Sequence, residues 1–282
     1  MNKNLGCPCV LCGENNPNNF RIWFDSYLKL YKCLKCGFIA QYPGPGENTI
    51  INNYEDNYSL DFLKQNKEFM YPERRIVLQD IVDRIYKIKS KGSLLDIGCG
   101  DGHLLYLCKK RFPDCYGVEY SKDLSKFASS KTNFPIIQGK YCKEIYPPNK
   151  FDIITIIQVL EHIPNPVDFL EIVHYHLKKN GILVIEIPSI SAPHFLAYRF
   201  TGIKKFVRPP DGIINCHCSY FSSKTLKLLL KNCGFEHISL ITGRWSVKYG
   251  GTLHLIGKII DPALNFTRIG GILYIAKKSD TF

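Results

Sequence analysis

The residues best equipped for chemistry fall in three places, and the first is near the amino terminus. The stretch "CPCVLCGENNPNNFRIWFDSYLKLYKCLKCG" carries two C-x-x-C-G units, Cys9 to Cys12 and Cys33 to Cys36. A tight turn at each pair lets two thiolates face one ion, and the glycines that follow, Gly13 and Gly37, tolerate the positive φ such turns demand. Four thiolates make a closed tetrahedral set, which suits a structural zinc ion, since a catalytic ion keeps one position open. Cys7 could stand in for Cys9, although the repeated C-x-x-C-G favours Cys9. So short a segment has almost no core, and the ion should supply much of its folding energy.

The second place is "LLDIGCGDGHLL", with glycines at 98, 100 and 102 directly after Asp96. This G-x-G-x-G spacing differs from the dinucleotide fingerprint G-x-G-x-x-G. Glycines here let the chain turn sharply and let a ligand lie against bare backbone, while Asp96 can meet a cation or a hydrogen-bond donor. A pyrophosphate beside that carboxylate would be repelled. The next apolar run ends in "YGVEY", which places Glu119 23 residues after Asp96, where an acid can accept both hydroxyls of a ribose. The third place is "INCHCSYFS", residues 214 to 222, where His217 stands between Cys216 and Cys218. An extended chain points the two cysteines to one side and His217 to the other, and no fourth ligand lies nearby in the sequence, so zinc is not expected on that triplet.

The rest of the chain must position these groups. Its 282 residues, 45% hydrophobic and 13% aromatic, can fill the core of one large α/β domain or two modest ones. From residue 91 onward short apolar runs alternate with amphipathic stretches: "SLLDIG", "CYGVEY", "PIIQG", "FDIITIIQVL" and "GILVIEIP". That rhythm predicts a parallel sheet with crossover helices, whose ligands sit outside the carboxyl ends of the strands. Ahead of it, "RRIVLQDIVDRIYKI" predicts a helix with a stripe through Ile76, Val77, Asp80 to Val82, Ile85 and Ile88. Tyr54 and Tyr58, four apart, could share a helical face as buried aromatics or as part of a lid.

No apolar run reaches the roughly 20 residues a membrane span requires, and "MNKNLGCPCV" lacks the apolar core of a signal peptide. A cytoplasmic protein is expected, and its twelve cysteines then read as reduced thiols and metal ligands, not a disulfide framework. The net charge of +12 is scattered except in "CKKRF" at 108 to 112 and "RFTGIKKFVR" at 199 to 208. It fits a composition rich in Lys, Asn and Ile as well as a preference for anionic partners.

These motifs together resemble the class I S-adenosylmethionine-dependent methyltransferases. "LLDIGCGDG", Glu119, "FDIITIIQVLEHIPNP" at 151 to 166 and "HLKKNGILVIEIPS" at 176 to 189 match in order and spacing over about residues 90 to 190. The resemblance implies a Rossmann-like, seven-stranded, mostly parallel sheet with flanking helices. It also implies that Asp96, Gly98, Cys99, Gly100 and Gly102 lie against the methionine part of the cofactor, that Glu119 with Tyr120 holds the ribose, and that Gln158 approaches the methionine moiety. Relatives often carry an acid after the third strand for the adenine amino group. Here Lys140 and Tyr141 occupy the place, so adenine would be held by backbone and by Tyr141 stacking.

Methyl transfer from a sulfonium asks the protein for alignment and a base, for which histidine is the natural choice. His162, in "VLEHIP", and His217 are the candidates. "HCSYFSSKTLKLLLKNCGF" and "YGGTLH" at 249 to 254 are similar to segments of sugar and surface-glycan methyltransferases, including deoxysugar C-methyltransferases with an amino-terminal zinc region. Those enzymes read Tyr-His-Glu-His where this chain has residues 214 to 217, and His217 matches the last of these. Ile214 and Cys216 replace the tyrosine and glutamate, which favours methylation at oxygen, since a carbanion route needs groups to stabilise an enolate.

The expected organisation is a zinc ribbon over 1–46, a helical linker or lid over 47–90, and a methyltransferase domain over 91–282 with a substrate-side insertion at 190–224. The expected acceptor is a sugar, a nucleotide sugar or a surface glycan, with the 199–208 cluster meeting a phosphate. Two other readings compete: an RNA methyltransferase that binds nucleic acid through its ribbon and charge, and a non-catalytic zinc-ribbon adaptor.

Overall fold

The structure, a computed structural model, describes residues 8–25, 29–42, 44–46, 49, 72–190, 217–244 and 271–280. Cys7, Tyr54, Tyr58, the 199–208 cluster, Ile214, Cys216 and "YGGTLH" lie outside the described residues.

Each apolar run becomes a strand of one sheet: β4 (Leu94–Ile97), β5 (Cys115–Glu119), β6 (Ile136–Gln138), β7 (Phe151–Ile157) and β8 (Leu177–Pro188). These five are parallel in the order β8-β7-β4-β5-β6. Two later strands, β10 (Phe235–Arg244) and β11 (Gly271–Lys278), extend the sheet to seven, with β11 antiparallel to β8 and to β10. The sheet is covered on both faces, which is why its strands read as continuous apolar runs. Leu94, Ile153, Ile182, Val184 and Leu273 face one core, while Leu95, Ile154, Leu183, Ile185 and Ile272 face the other.

The first core is closed by α1 (Pro72–Ile88), α2 (His103–Cys108) and α3 (Lys122–Thr132). The helix expected in "RRIVLQDIVDRIYKI" forms, but its buried stripe runs through Leu78, Ile81, Val82 and Ile85. Ile76 and Ile88, placed on that stripe by the sequence pattern, are exposed, at 69% and 41%. Their hydrophobicity marked the helix and misled about its face. The second core is closed by α4 (Pro166–His176) and α5 (Ser223–Asn232). Asn165 caps α4 by accepting from the Val167 and Asp168 amides, and Ser222 with Thr225 forms a reciprocal capping box on α5.

The amino-terminal segment folds into β1 (Phe20–Asp25), β2 (Lys29–Cys33) and β3 (Ile39–Gln41). A fourth strand, β9 (Ser219–Tyr220), joins this small sheet antiparallel to β3 and comes from the far end of the sequence. The Gln41 amide donates to the Cys218 carbonyl at 3.0 Å, Phe38 packs on Phe221 with ring centroids 5.4 Å apart, and Asn232 Nδ2 donates to the Leu11 carbonyl at 3.2 Å. Cys9, Leu11, Cys33, Cys36 and Phe38 belong to the same buried cluster as α4 and α5. The ribbon expected as a separate unit over 1–46 thus shares a sheet with residues assigned by sequence to the insertion.

Candidate active site

The carboxyl ends of β4, β5, β6 and β7 gather the groups that the sequence singled out. The loop after β4 holds Gly98, Gly100 and Gly102 at φ 69°, 55° and 77°. A side chain on Gly98 would place its Cβ 2.4 Å from Val159 Cγ2, whereas one on Gly100 would meet nothing within 4 Å. Gly98 therefore serves close packing, and Gly100 presents bare backbone to open space. Gly98→Ala is expected to destabilise the protein by about 1–3 kcal/mol, from overpacking and left-handed strain. Thermal denaturation checks this, and Val159→Ala should restore only the packing part; an unchanged midpoint in Gly98→Ala would disprove it.

Glu119 ends β5 with its side chain 1% exposed. One carboxylate oxygen accepts from the Gly100 amide at 2.8 Å and the other from the Ser121 amide at 2.8 Å, so it fastens the glycine loop to the turn that starts α3. Burial pushes its carboxyl above the usual carboxylate range. Asp96 is equally buried, and Thr155 Oγ1 on β7 donates to it at 2.6 Å. Burial dominates there too, pushing Asp96 up to about 7. Cys99 is buried, with its thiol pushed up by burial. Tyr120 is half-buried, and its carbonyl accepts from Gln138 Nε2 at 3.0 Å.

Gln158, just past β7, has φ 58°, a left-handed conformation uncommon for a residue with a side chain. Its amide donates to the Glu186 carbonyl at 2.8 Å, which fixes the strained turn against β8. Strain held this firmly at a strand end is a mark of functional positions.

Two expectations around adenine divide. Lys140 is exposed beside Gly139, which has φ 137° and open space where a side chain would stand. Tyr141 is 7% exposed, with its ring edge-on to Phe169 and His176 and its hydroxyl 2.6 Å from His176 Nδ1. His176 Nε2 contacts the Lys143 and Tyr146 carbonyls, so that nitrogen donates and Nδ1 accepts from the tyrosine. Tyr141 is thus engaged within the core, a burial that its position in the sequence does not show.

The two candidate bases come together. His162 sits in a short 3-10 turn after β7, His217 lies two residues before β9, and their ring centroids are 4.6 Å apart. The Cys218 amide donates to the Glu161 carbonyl at 2.8 Å and locks the two segments side by side. Burial pushes His217 down to about 3, with His162 adding to the effect, so its imidazole is neutral. Cys218 is buried, with its thiol 3.4 Å from the His162 carbonyl.

Sequence reading missed four neighbours. Glu161 is 1% exposed and pushed up to about 8, by burial first and by Glu186 second. Glu186, on β8, is 3.5 Å from Arg74 Nη1 on α1. His103, at the start of α2, is buried, and its Nε2 has no hydrogen-bond partner among the described residues. Glu161 was visible as the acid before His162, but Arg74, Glu186 and His103 carry no local signal.

On the ribbon, Cys9 Sγ lies 3.6 Å from Cys36 Sγ and Cys12 Sγ lies 3.7 Å from Cys33 Sγ, and all four sulfurs are within 4.8 Å of one another. Tetrahedral zinc–thiolate bonds of about 2.3 Å set sulfurs about 3.8 Å apart, so the four fit one ion. Gly13 and Gly37 hold φ 69° and 84° at the two knuckles, as their position after each cysteine pair required.

A family model described as a methyltransferase domain matches residues 71–240. The chain belongs to that family. Among solved structures, a SAM-dependent methyltransferase from Archaeoglobus fulgidus superposes with a TM-score of 0.54 at 20% identity, covering 78% of this chain and 100% of that one. A SAM-dependent methyltransferase from Thermotoga maritima gives 0.55 at 17% identity, covering 82% and 100%. These likenesses share the fold, α/β and Rossmann-like with a mostly parallel seven-stranded sheet. Among curated proteins, a ubiquinone biosynthesis O-methyltransferase from Pelagibacter ubique is 26% identical over 67% of this chain and 85% of its own length. The human protein named arginine-hydroxylase NDUFAF5, mitochondrial, is 27% identical over 62% of this chain, which spans about half that relative's length, 51%. The methyltransferase is an enzyme that uses S-adenosylmethionine. No described helix is long and apolar enough to cross a membrane.

Proposed function

We propose that this methyltransferase methylates a hydroxyl oxygen of a small, polyhydroxylated acceptor, of the sugar or nucleotide-sugar class, with His217 as the group that takes the acceptor's proton. The observation that carries the reading is the pairing of His217 with His162, rings 4.6 Å apart, at the strand end beside strained Gln158. The O-methyl chemistry named for the Pelagibacter relative supports oxygen as the target. The sugar class rests on the likeness of residues 217–235 and of the ribbon cysteines to glycan and deoxysugar enzymes.

The chain fits the cofactor. Gly100 and Gly139 offer bare backbone facing open space, and Glu119 keeps acceptor capacity beyond its two amide bonds for ribose hydroxyls. Asp96 would meet the cationic methionine end, with Gln158 beside it and Arg74 and His103 as donors for its carboxylate. When bound, S-adenosylmethionine supplies an activated methyl on a sulfonium. The protein's own work is to hold the acceptor oxygen in line and to receive its proton. Cys9, Cys12, Cys33 and Cys36 would bind one structural zinc ion.

Cofactor affinity should depend on pH through Asp96. Its carboxyl stands at about 7, with Thr155, Arg74, Glu119 and Asp101 as its interacting neighbours. A cationic ligand favours the ionised form, so binding below that value must release a proton. Affinity should therefore rise by about tenfold from pH 6 to pH 8 and level off above. Calorimetry across that range checks this, and Asp96→Asn should flatten the profile; an equally steep profile in that variant would assign the proton elsewhere.

The reading itself is tested by incubating the protein with methyl-labelled S-adenosylmethionine and a panel of sugars, nucleotide sugars, quinol-type phenols and RNA. Label on a sugar hydroxyl supports it. Label on RNA alone, or on carbon, would overturn it.

A further inference from the structure

We infer that Glu161, His162 and His217 together hold a divalent cation, and that the acceptor's oxygen reaches the enzyme through that ion. The inference rests on the methyl-transfer reading above and deepens it, because His217 would then act by holding the ion and not by taking the proton itself.

Three observations point to this corner. A carboxylate oxygen of Glu161 and one ring nitrogen from each of the two histidines all lie within 4.8 Å of one another. Bonds of about 2.0–2.2 Å to an ion bring neighbouring ligand atoms to about 3.0–3.6 Å, so only small side-chain rotations close the site. Glu161 Oε1 is already 4.0 Å from His162 Nε2.

Next, Glu161 is 1% exposed, and its Oε2 has no hydrogen-bond partner among the described residues. A buried carboxylate oxygen without a donor is costly unless a charge compensates it. The neighbouring acid has its own compensation, because Arg74 Nη1 stands 3.5 Å from Glu186 Oε2, whereas among the described residues the ion-pair partner of Glu161 is His162, at 4.0 Å. A dication held by Glu161 and the imidazoles would compensate the charge of that buried carboxylate.

The backbone also prepares the site. His217 comes from a segment 55 residues beyond His162 in the sequence, yet the Cys218 amide is bonded to the Glu161 carbonyl at 2.8 Å. That bond keeps the third ligand over the first two before any ion arrives.

Two imidazoles and one carboxylate suit zinc, cobalt, nickel, iron or manganese, and three protein ligands leave positions open for substrate oxygen. This distinguishes the corner from the ribbon, whose four thiolates close the sphere. A hydroxyl bound to the ion loses its proton more readily. The O–H bond breaks and its proton passes to solvent water. An oxygen lone pair then forms the bond to the methyl carbon, and the carbon–sulfur bond breaks with its electrons remaining on sulfur, which turns the sulfonium into a neutral thioether.

The test uses the full chain with its ribbon loaded with zinc, titrated with Co2+. The expected result is one further ion per chain, with weak visible bands and without the intense thiolate-to-metal absorption that displacement into the ribbon would give. Glu161→Gln, His162→Ala and His217→Ala, each read separately, should weaken that binding by more than about 100-fold, beyond what outer-shell changes cost. Ribbon zinc, measured by mass spectrometry, should stay at one and report that each variant is folded. No Co2+ uptake beyond the ribbon, or equal affinity in all three variants, would overturn the ion. If wild type takes no second ion while His217→Ala still abolishes turnover, the cation falls and His217 as proton acceptor stands. If the ion binds and no methyl reaches any hydroxyl, the ion site stands and the acceptor reading falls.

Discussion

Cys33→Ser is expected to strip zinc from the ribbon and to lower the methyl-transfer rate by about 10²-fold, the cost of misplacing a reacting group by an ångström or so, while S-adenosylmethionine still binds. Cys33 is 1% exposed and shares the cluster in which the four sulfurs lie within 4.8 Å, so its loss opens a closed tetrahedral set. The consequence travels through β3, whose partner in the small sheet is β9. The Gln41 amide holds the Cys218 carbonyl, and Phe38 packs on Phe221, so a collapsed ribbon releases the strand that begins two residues after His217. The groups proposed to hold the cofactor stand on other elements: Asp96 lies within β4, the glycines follow it, and Glu119 ends β5. Metal content, turnover and calorimetric cofactor binding, measured on one preparation, check this. A zinc-free protein with wild-type turnover would show that the ribbon does not position His217.

The second large effect belongs to His217→Ala. Turnover should fall by about 10²–10⁴-fold, the span that positioned proton transfer contributes, with cofactor affinity unchanged. His217 stands against His162 and Tyr220, ring centroids 4.6 and 5.9 Å away, while Asp96, the glycine loop and Glu119 stand on β4, the loop after it and β5. The loss is expected whether His217 takes the proton or holds the cation. Adding back a divalent ion after mild chelation separates the two in the wild type: recovery of rate belongs to the cation, and indifference to it belongs to the free imidazole. Turnover unchanged in His217→Ala would remove it from the reaction altogether.

Much of the fold was legible because its signals are local. A strand buried on both faces must be apolar along most of its length, so β4, β5, β7 and the second half of β8 appear as apolar runs. A glycine that must adopt positive φ leaves no substitute, and Gly98, Gly100 and Gly102 hold that conformation. The helical stripe of α1 was less legible, because Ile76 and Ile88 are as hydrophobic as Leu78 and Ile81 and only packing tells them apart. The burial of Tyr141 was no more legible: its position suggested a stacking ring, and the histidine that meets its hydroxyl, His176, lies 35 residues away.

The sequence by itself determined the sheet's parallel strands, the glycine loop with Asp96 and Glu119, and the two cysteine pairs, since each is written in short motifs: apolar runs, a glycine spacing and a repeated C-x-x-C-G. Tertiary structure decided everything that needed distant segments to meet. It joined β9 to the ribbon, brought His217 to His162 and Glu161, and set Arg74 beside Glu186. The physical reason is that spacing along a chain encodes turns and periodicity, while a corner built from residues 161, 162 and 217 exists only once the core has closed behind it.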